Sequence, residues 1–325
     1  MTSTGAARAH ANIALIKYWG KRNTRLNLPA VGSISVTLED LYTDTEVSFV
    51  AEGSTDEFSL NGERREAMLP RVTAQLDLLR QLAGTDQRAE VVSHNNFPTG
   101  AGLASSASGF AALTAAAARA LQLDLTPRAL SRLARRGSAS AARSLFGGFV
   151  ELKRGQRDDD DEDCYAEPLL AAEAWPLEVV VAVTDAAEKS VSSRDGMLAS
   201  AESAYFPAWV ATSDADLQLG RQAILTRDFA GLAAVAEASC LKMHGLMLAT
   251  APGLLYWQGP TLACLHRIRA LRDAGTGVFF TVDAGPQVKA VCEPGAAERV
   301  REALAAVPGV TRTWVSGLGA GVRYL

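Results

Sequence analysis

NNFPTGAGLASSASGFAALTAAAARAL, Asn95 to Leu121, decides how the chain is read. A strand-like stretch, Glu90–Ser93, leads into it. Pro98, Gly100 and Gly102 then interrupt regular structure, and a run built almost wholly of alanine follows. Small side chains of high helical propensity predict a helix, to about Leu121, packed closely against its neighbours. A strand, a Gly/Ser turn and a helix start in succession leave backbone N–H groups facing outward, where an anion binds. Ser105 and Ser106 add hydroxyls for phosphate oxygens or magnesium. The segment is not a Walker motif, since no G-x-x-x-x-G-K-[ST] occurs. Taken alone, a Gly/Ser turn before a helix is most often only a tight connection.

Upstream, Ile34, Val36 and Leu38 alternate with polar residues, and Thr45, Val47 and Phe49 do the same after a short polar break. Leu69, Val72, Leu76 and Leu79 predict a helix over Glu66–Leu82. Downstream, Thr126-Pro127 is a helix start and Gly137 a helix end. Phe149, Val150 and Leu152 form a strand that runs into KRGQRDDDDEDC. Its acidic run, Asp158–Asp163, has no calcium-loop spacing and reads as a solvated hairpin tip. A strand at Leu177–Thr184 precedes a mainly helical stretch from Met197 to Leu248. Pro260–Ala274 is a helix with Leu262, Leu265, Ile268 and Leu271 inward. Val278–Val282 and Val288–Cys292 are short strands around DAGPQ, followed by a helix near Ala296–Ala306 and a strand near Thr313–Val315. This alternation predicts an α+β chain of two units, 1–184 and 185–325, joined near Thr184–Ser190.

Composition agrees. The chain has 325 residues, enough for about two domains at roughly 150 residues each. It is 48% hydrophobic and 21% charged, which excludes a disordered or fibrous chain. Its 32 basic and 36 acidic residues leave a formal charge of −4, so bulk attraction to nucleic acid or an anionic membrane is excluded as the mode of action. Cys164, Cys240, Cys264 and Cys292 form no C-x-x-C pair, and the four histidines show no metal-binding spacing. His244, inside an apolar helical pattern, reads as packed core. No signal-peptide pattern opens the sequence, and its apolar runs are shorter than the ~20 residues of a membrane span. A cytoplasmic location is the expectation.

Four further segments could carry chemistry. GSASAARSLFGG, Gly137 to Gly148, sets Ser138 and Ser140 beside Arg143, whose planar fork suits carboxylate or phosphate. DAGP puts Asp283 at a strand end, either as a turn former or as a group that orients or deprotonates a hydroxyl. KYWGK flanks Tyr18 with Lys17 and Lys21, and VSSRDGM adds Ser192, Ser193 and Arg194. Several oxyanion-binding elements with one candidate base fit phosphoryl transfer, where catalysis is mainly positioning and charge stabilisation.

ANIALIKYWGK, NNFPTGAGLASSASG, GSASAARSLFGG, VSSRDGM and TVDAGPQVK occur in this order over nearly the whole chain. Together they resemble the diphosphomevalonate decarboxylase family of the GHMP kinase superfamily. The resemblance implies a ribosomal-protein-S5-like, ATP-binding N-terminal domain and a ferredoxin-like C-terminal α/β domain, in a protein that forms homodimers. It also implies an ATP- and magnesium-dependent reaction. Mevalonate 5-diphosphate is phosphorylated on its tertiary 3-hydroxyl, then loses phosphate and carbon dioxide to give isopentenyl diphosphate. Asp283 would be the catalytic acid that orients or deprotonates the hydroxyl, Arg143 would grip the substrate carboxylate, and Lys17 would belong to the cluster around Asp283. Tyr18, Lys21, Ser138, Ser140, Ser193 and Arg194 would bind substrate. Asn96, Gly100, Ala101, Gly102, Leu103, Ala104, Ser105 and Ser106 would cradle ATP, with Ser106 a magnesium ligand. Where many members carry Asn-Ser-Ser, this chain has Val31-Gly32-Ser33, which leaves the preferred phosphorylation state of the substrate open. A decarboxylase acting on mevalonate 5-phosphate and a small-molecule kinase that stops after phosphorylation are the alternatives.

Overall fold

The longest strand, Ser33–Val50 (β4), organises the first sheet of the computed structural model, which describes residues 3–51, 53–97, 105–184 and 191–325. Ahead of it come Ser3–Ile16 (β1), Lys21–Asn23 (β2) and Leu28–Pro29 (β3). After it come Glu57–Leu60 (β5), Glu63–Arg64 (β6), Leu69–Ala83 (α1), Arg88–Asn95 (β7), Ser105–Ala120 (α2), Pro127–Gly137 (α3), Phe149–Leu152 (β8) and Ala166–Leu170 (β9). The chain continues through Glu178–Val183 (β10), Ser193–Ser200 (α4), Phe206–Thr226 (α5), Phe229–Leu248 (α6), Gly259–Asp273 (α7), Val278–Val282 (β11), Val288–Cys292 (β12), Ala297–Ala305 (α8), Arg312–Gly317 (β13) and Arg323–Tyr324 (β14).

β4 pairs antiparallel with β1 along one edge, and its other edge is divided between β8, at Ser33–Val36, and β7, at Thr43–Val50. Its register with β1 jumps from His10↔Tyr42 to Asn12↔Thr37. The polar break expected between two strands is therefore a bulge inside one, and Glu39 and Asp40 are exposed on it. β5 joins β7 in parallel, β9 joins β8, and the C-terminal β14 returns to pair with β1. The second sheet is antiparallel, in the order β11-β12-β10-β13.

Alanines let α2 lie directly on the first sheet. A Cβ built on Gly5 of β1 would stand 2.4 Å from the Ala116 carbonyl oxygen, so only glycine against a small-residue helix permits this approach. α1, α2 and α3 share the core on that face. On the other face, Ile13, Leu15, Ile34 and Val36 meet Val179, Val181, Phe279 and Val291 of the second sheet, with Ile224 and Leu232 between them. The two sheets are thus joined by one apolar core. α7 and α8 cover the remaining face of the second sheet. On α7 the buried stripe is Thr261, Cys264, Leu265, Ile268 and Leu271. Leu262, expected inward, is one position off that stripe and is 45% exposed.

The acidic run also differs from expectation. Asp161 is buried and accepts from Arg135 at 2.5 Å and Arg132 at 2.7 Å, with Arg136 3.5 Å away. Arg135, wholly buried, donates in turn to the Leu26 and Asn27 carbonyls. Asp158, Asp159 and Glu162 stay exposed as a solvated tip does, while Asp161 ties the run to α3, whose Arg135 reaches the β2–β3 hairpin. Its partners come from a helix some thirty residues upstream, and no local pattern reveals them.

Candidate active site

A cleft of about 510 Å³ opens where the end of β1, the β2–β3 hairpin, the start of α2, the α3–β8 connection, the start of α4 and the residues after β11 converge. Among the described residues seven basic ones line it: Lys17, Lys21, Arg25, Arg71, Arg136, Arg143 and Arg194. Among the described residues its lining includes a single carboxylate, Asp283. A chain with a formal charge of −4 thus concentrates positive charge in one concave surface, which focuses an anionic ligand there.

Asp283 follows β11 directly and is held from two sides. Lys17 Nζ lies 2.6 Å from Oδ1 and Lys289 Nζ lies 3.3 Å from Oδ2. Both lysine side chains are 1% exposed, whereas Asp283 keeps 27% of its side chain open to the cleft. Burial alone would raise the carboxyl pKa. The attraction of Lys17, then of Lys289, outweighs it and holds the group well below the usual carboxylate range. Burial lowers Lys289, and Asp283 opposes that shift.

Arg143 projects its fork into the wall beside β1 and β4. Nε donates to Ser35 Oγ at 2.9 Å, Nη1 to Ser33 Oγ, and Nη2 to Asn12 Oδ1 at 3.1 Å. Asn12 is itself fixed by donating to the Ser140 carbonyl at 2.9 Å and Ser144 Oγ at 2.7 Å. Burial pulls the guanidinium down to about 10, with Asp283 opposing, so it stays charged at neutral pH. Three of its five N–H groups are engaged in these bonds, and the others suit a ligand carboxylate.

KYWGK divides by side. Lys17, Tyr18 and Lys21 line the cleft. The Trp19 ring also turns into the apolar cluster beneath, where its Nε1 donates to Ser200 Oγ at 2.9 Å. The Tyr18 hydroxyl is buried without a hydrogen-bond partner among the described residues, and burial pushes its pKa up. Burial, then Arg194 and Arg71, pulls the Lys21 ammonium down to about 8. Ser106, Ser138 and Ser140 form a row of hydroxyls, 3.5 Å and 3.1 Å between successive oxygens. Ser193 and Arg194 open α4 behind its cap Ser192.

The structure therefore brings Lys17, Tyr18, Lys21, Ser105, Ser106, Ser138, Ser140, Arg143, Ser193, Arg194 and Asp283 to one cleft. Asn96 stands outside this lining. Its amide accepts from Tyr42 N–H at 2.8 Å and donates to the Asp40 carbonyl at 2.7 Å. Gly100, Ala101, Gly102, Leu103 and Ala104 lie outside the described residues. Sequence reasoning missed Arg25, Arg71, Arg136 and Lys289. Lys289 did carry a signal, since a lysine inside an apolar five-residue strand needs a buried partner.

The first part of the chain, residues 9–166, matches the diphosphomevalonate decarboxylase-like N-terminal domain, and residues 179–315 match the mevalonate 5-diphosphate decarboxylase C-terminal domain. The diphosphomevalonate decarboxylase of Saccharomyces cerevisiae is 38% identical over 303 residues, covering 87% of this chain and 76% of the yeast protein. The chain belongs to the diphosphomevalonate decarboxylase family. The phosphomevalonate decarboxylase of Haloferax volcanii is 34% identical over 321 residues, covering 98% of this chain and 97% of its own. A solved structure of MDDEF in complex with MVAPP, AMPPCP and magnesium superposes with a TM-score of 0.93 at 41% identity, covering 100% of this chain and 99% of the other. This member carries Val31-Gly32 away from the cleft lining. Val31 is wholly buried, and a Cβ on Gly32 would stand 2.6 Å from Leu217 Cδ1. Ser33, the third residue of that triplet, holds Arg143.

Proposed function

We propose that this protein is an ATP- and magnesium-dependent decarboxylase that converts mevalonate 5-diphosphate to isopentenyl diphosphate, releasing ADP, phosphate and carbon dioxide. The observation that carries the reading is the joint presence, in one cation-lined cleft, of a fixed guanidinium fork at Arg143 and a carboxylate at Asp283 clamped by two lysines. A kinase that stops at phosphorylation has no need of a carboxylate clamp.

The donor set suits magnesium nucleotide. Ser105 and Ser106 begin α2, where N–H groups and hydroxyls face the cleft, and magnesium takes hard oxygen ligands while keeping phosphates and water in its shell. Ser106 is the proposed protein ligand, and Gly100 to Ser106 the proposed cradle. Asn96, itself held to β4 through Tyr42 and Asp40, is the proposed residue ahead of that cradle. When bound, magnesium ATP supplies the phosphoryl group that turns a tertiary hydroxyl into a leaving group.

The chain's own residues do the rest. Asp283 orients the substrate 3-hydroxyl and takes its proton. Arg143 grips the carboxylate that leaves as carbon dioxide, and Lys17 holds Asp283. Tyr18, Lys21, Ser138, Ser140, Ser193 and Arg194 take the diphosphate and carboxylate oxygens. Cationic donors of this kind are each worth on the order of 3 kcal/mol toward developing negative charge. The surplus of basic residues favours the more highly charged diphosphate over the monophosphate.

The same reading makes the protein a cytoplasmic homodimer of two domains; β10, ahead of residue 184, already pairs with β12 and β13 of the second sheet, which puts the seam before that strand. Among the described residues no helix is long and apolar enough to cross a membrane.

The test offers mevalonate, its 5-phosphate and its 5-diphosphate with Mg-ATP, following ADP and carbon dioxide separately. The expected result is stoichiometric ADP and carbon dioxide from the diphosphate. ADP without carbon dioxide overturns decarboxylation, and equal or better turnover of the monophosphate reassigns the substrate.

A further inference from the structure

The free edge of β11 ends at the catalytic carboxylate. Among the described residues β11 pairs with β12 alone and is the outer strand of its sheet. The main-chain groups of alternate residues on its other edge therefore have no strand partner among the described residues. α6 supplies one. Glu237 Oε1 accepts from Phe280 N–H at 3.1 Å. Cys240 Sγ accepts from Val282 N–H at 3.2 Å, and its thiol donates to the Val282 carbonyl at 3.5 Å. His244 Nε2 lies 3.2 Å from that same carbonyl oxygen. Positions 237, 240 and 244 are three and four apart, so they share one helix face. The same helix holds the other half of the ion pair, because Ser239 Oγ accepts from the main-chain N–H of Lys17 at 2.9 Å. One helix thus sets the backbone of both Lys17 and Asp283.

The imidazole has a second neighbour. Trp257 Nε1, which can only donate, lies 3.2 Å from His244 Nε2. One ring nitrogen cannot donate to the carbonyl and accept from the indole together. With the proton on Nε2 the imidazole holds Val282; with it on Nδ1 the imidazole takes Trp257 and leaves the carbonyl to the thiol. Cys240 accepts from Val282 N–H in both networks, so the sulfur is the constant member.

We propose that Cys240 is a positioning residue for Asp283: its sulfur closes both main-chain groups of Val282 and so fixes the peptide that carries the carboxylate, with His244 completing the enclosure. The proposal rests on the reading of Asp283 as the group that orients the substrate hydroxyl. Neutral partners suit the place. Burial raises the thiol pKa against the pull of Lys17 and pushes the imidazole down to about 3, so neither adds charge beside Lys17, Asp283 and Lys289.

The test compares C240A, C240S and C264A. Cys264, on α7, is a second wholly buried thiol of the same core and serves as the control for lost packing. C240A is expected to lose about tenfold or more in kcat while KM for both substrates stays within about twofold, the signature of a misplaced group rather than a lost binding contact. C240S, which keeps a donor and an acceptor, regains most of that loss. C264A melts as early as C240A yet retains wild-type kcat. Where C240A yields no folded enzyme, C240V replaces it, filling the sulfur's space without a polar atom, with the same loss expected. Wild-type kcat in the folded alanine or valine variant overturns the proposal, as does an equal fall in C264A or a serine variant no better than alanine. Rates are taken relative to wild type on whichever phosphorylated mevalonate it decarboxylates. Wild-type enzyme releasing no carbon dioxide overturns the functional reading instead, so the two failures are distinct.

Discussion

Asp283→Asn separates what the carboxylate does for the fold from what it does for the reaction. The substitution keeps the shape and removes the charge between two ammonium groups, 2.6 Å and 3.3 Å away. An asparagine oxygen can accept from Lys17 or Lys289, but its NH₂ then faces the other ammonium, donor against donor. Breaking a buried ion pair costs roughly 3–5 kcal/mol. With 27% of the Asp283 side chain open to the cleft, the lower figure, about 3 kcal/mol, is appropriate. Part of that is recovered if the lysine nearer the NH₂ sheds its proton, and Lys289 is already drawn below the usual lysine value by burial. The carboxylate's depressed pKa contributes stability above the unfolded value of 3.8 and loses it as pH falls toward the folded value. The gap between wild type and variant should therefore be flat from neutral pH to about 5 and close only in stronger acid.

On the reaction side, loss of a positioned proton acceptor costs typically 10²–10⁴ in rate, and about a thousandfold is expected here. Nucleotide binding, proposed to rest on the start of α2, should change little. Denaturant unfolding at several pH values gives the first quantity, coupled ADP and carbon dioxide release the second, and equilibrium nucleotide binding the control. A kcat within about tenfold of wild type refutes the role given to Asp283. A fall in ATP affinity as large as the fall in kcat refutes the separation of sites.

Lys21, drawn down to about 8, is half neutral near that pH in the free enzyme, so substrate KM should rise above pH 8 and the rise should vanish in K21R, whose charge persists; pH-dependent KM measurements decide. R143K keeps a charge but cannot reach Asn12, Ser33 and Ser35 together, and a kcat loss of about a hundredfold follows if the fork holds the leaving carboxylate; a loss confined to KM argues against that role. D161N leaves Arg135 buried beside a neutral group and should cost about 3 kcal/mol in urea unfolding; a cost under about 1 kcal/mol shows the acidic tie to be ornamental to the fold.

Elements whose boundaries are set by local chemistry were legible in the sequence. Thr126 caps α3, accepting from Ala129 N–H at 3.2 Å, and Gly137 ends it. β11 and β12 run as read because each is an apolar strand, with DAGPQ turning between them. What failed depended on partners far along the chain. Glu39 and Asp40 look like the end of a strand, but their bulge exists only because β1 continues opposite. Asp161 looks solvated until α3 arrives with three arginines. The cleft shows the same divide. Lys17, Arg143 and Asp283 stand in compact motifs, whereas Arg25, Arg71 and Arg136 are ordinary surface arginines in sequence and become cleft residues only by convergence.

The clamp on Asp283 also bears on the order of events. A carboxylate held this far below its usual range is a weak base, and a tertiary alcohol is a very weak acid, so removal of the proton ahead of phosphoryl transfer is uphill. The hydroxyl becomes acidic only as its oxygen bonds to phosphorus. On the proposed reading Asp283 serves first as a fixed acceptor that aims the oxygen, and the proton moves late. Lys17 and Lys289 thus trade basicity for position, which suits a reaction whose barrier lies in alignment and charge. Once the phosphate leaves, positive character remains at the carbon that bore it. Arg143, fixed by Asn12, Ser33 and Ser35, would on the same reading keep the substrate carboxylate in place for the electron pair of its C–C bond to move toward that carbon. In the proposed mechanism the tight grip on Asp283 and the rigid seat of Arg143 are two parts of the same device, one holding the oxygen that leaves and the other the carboxylate that follows it.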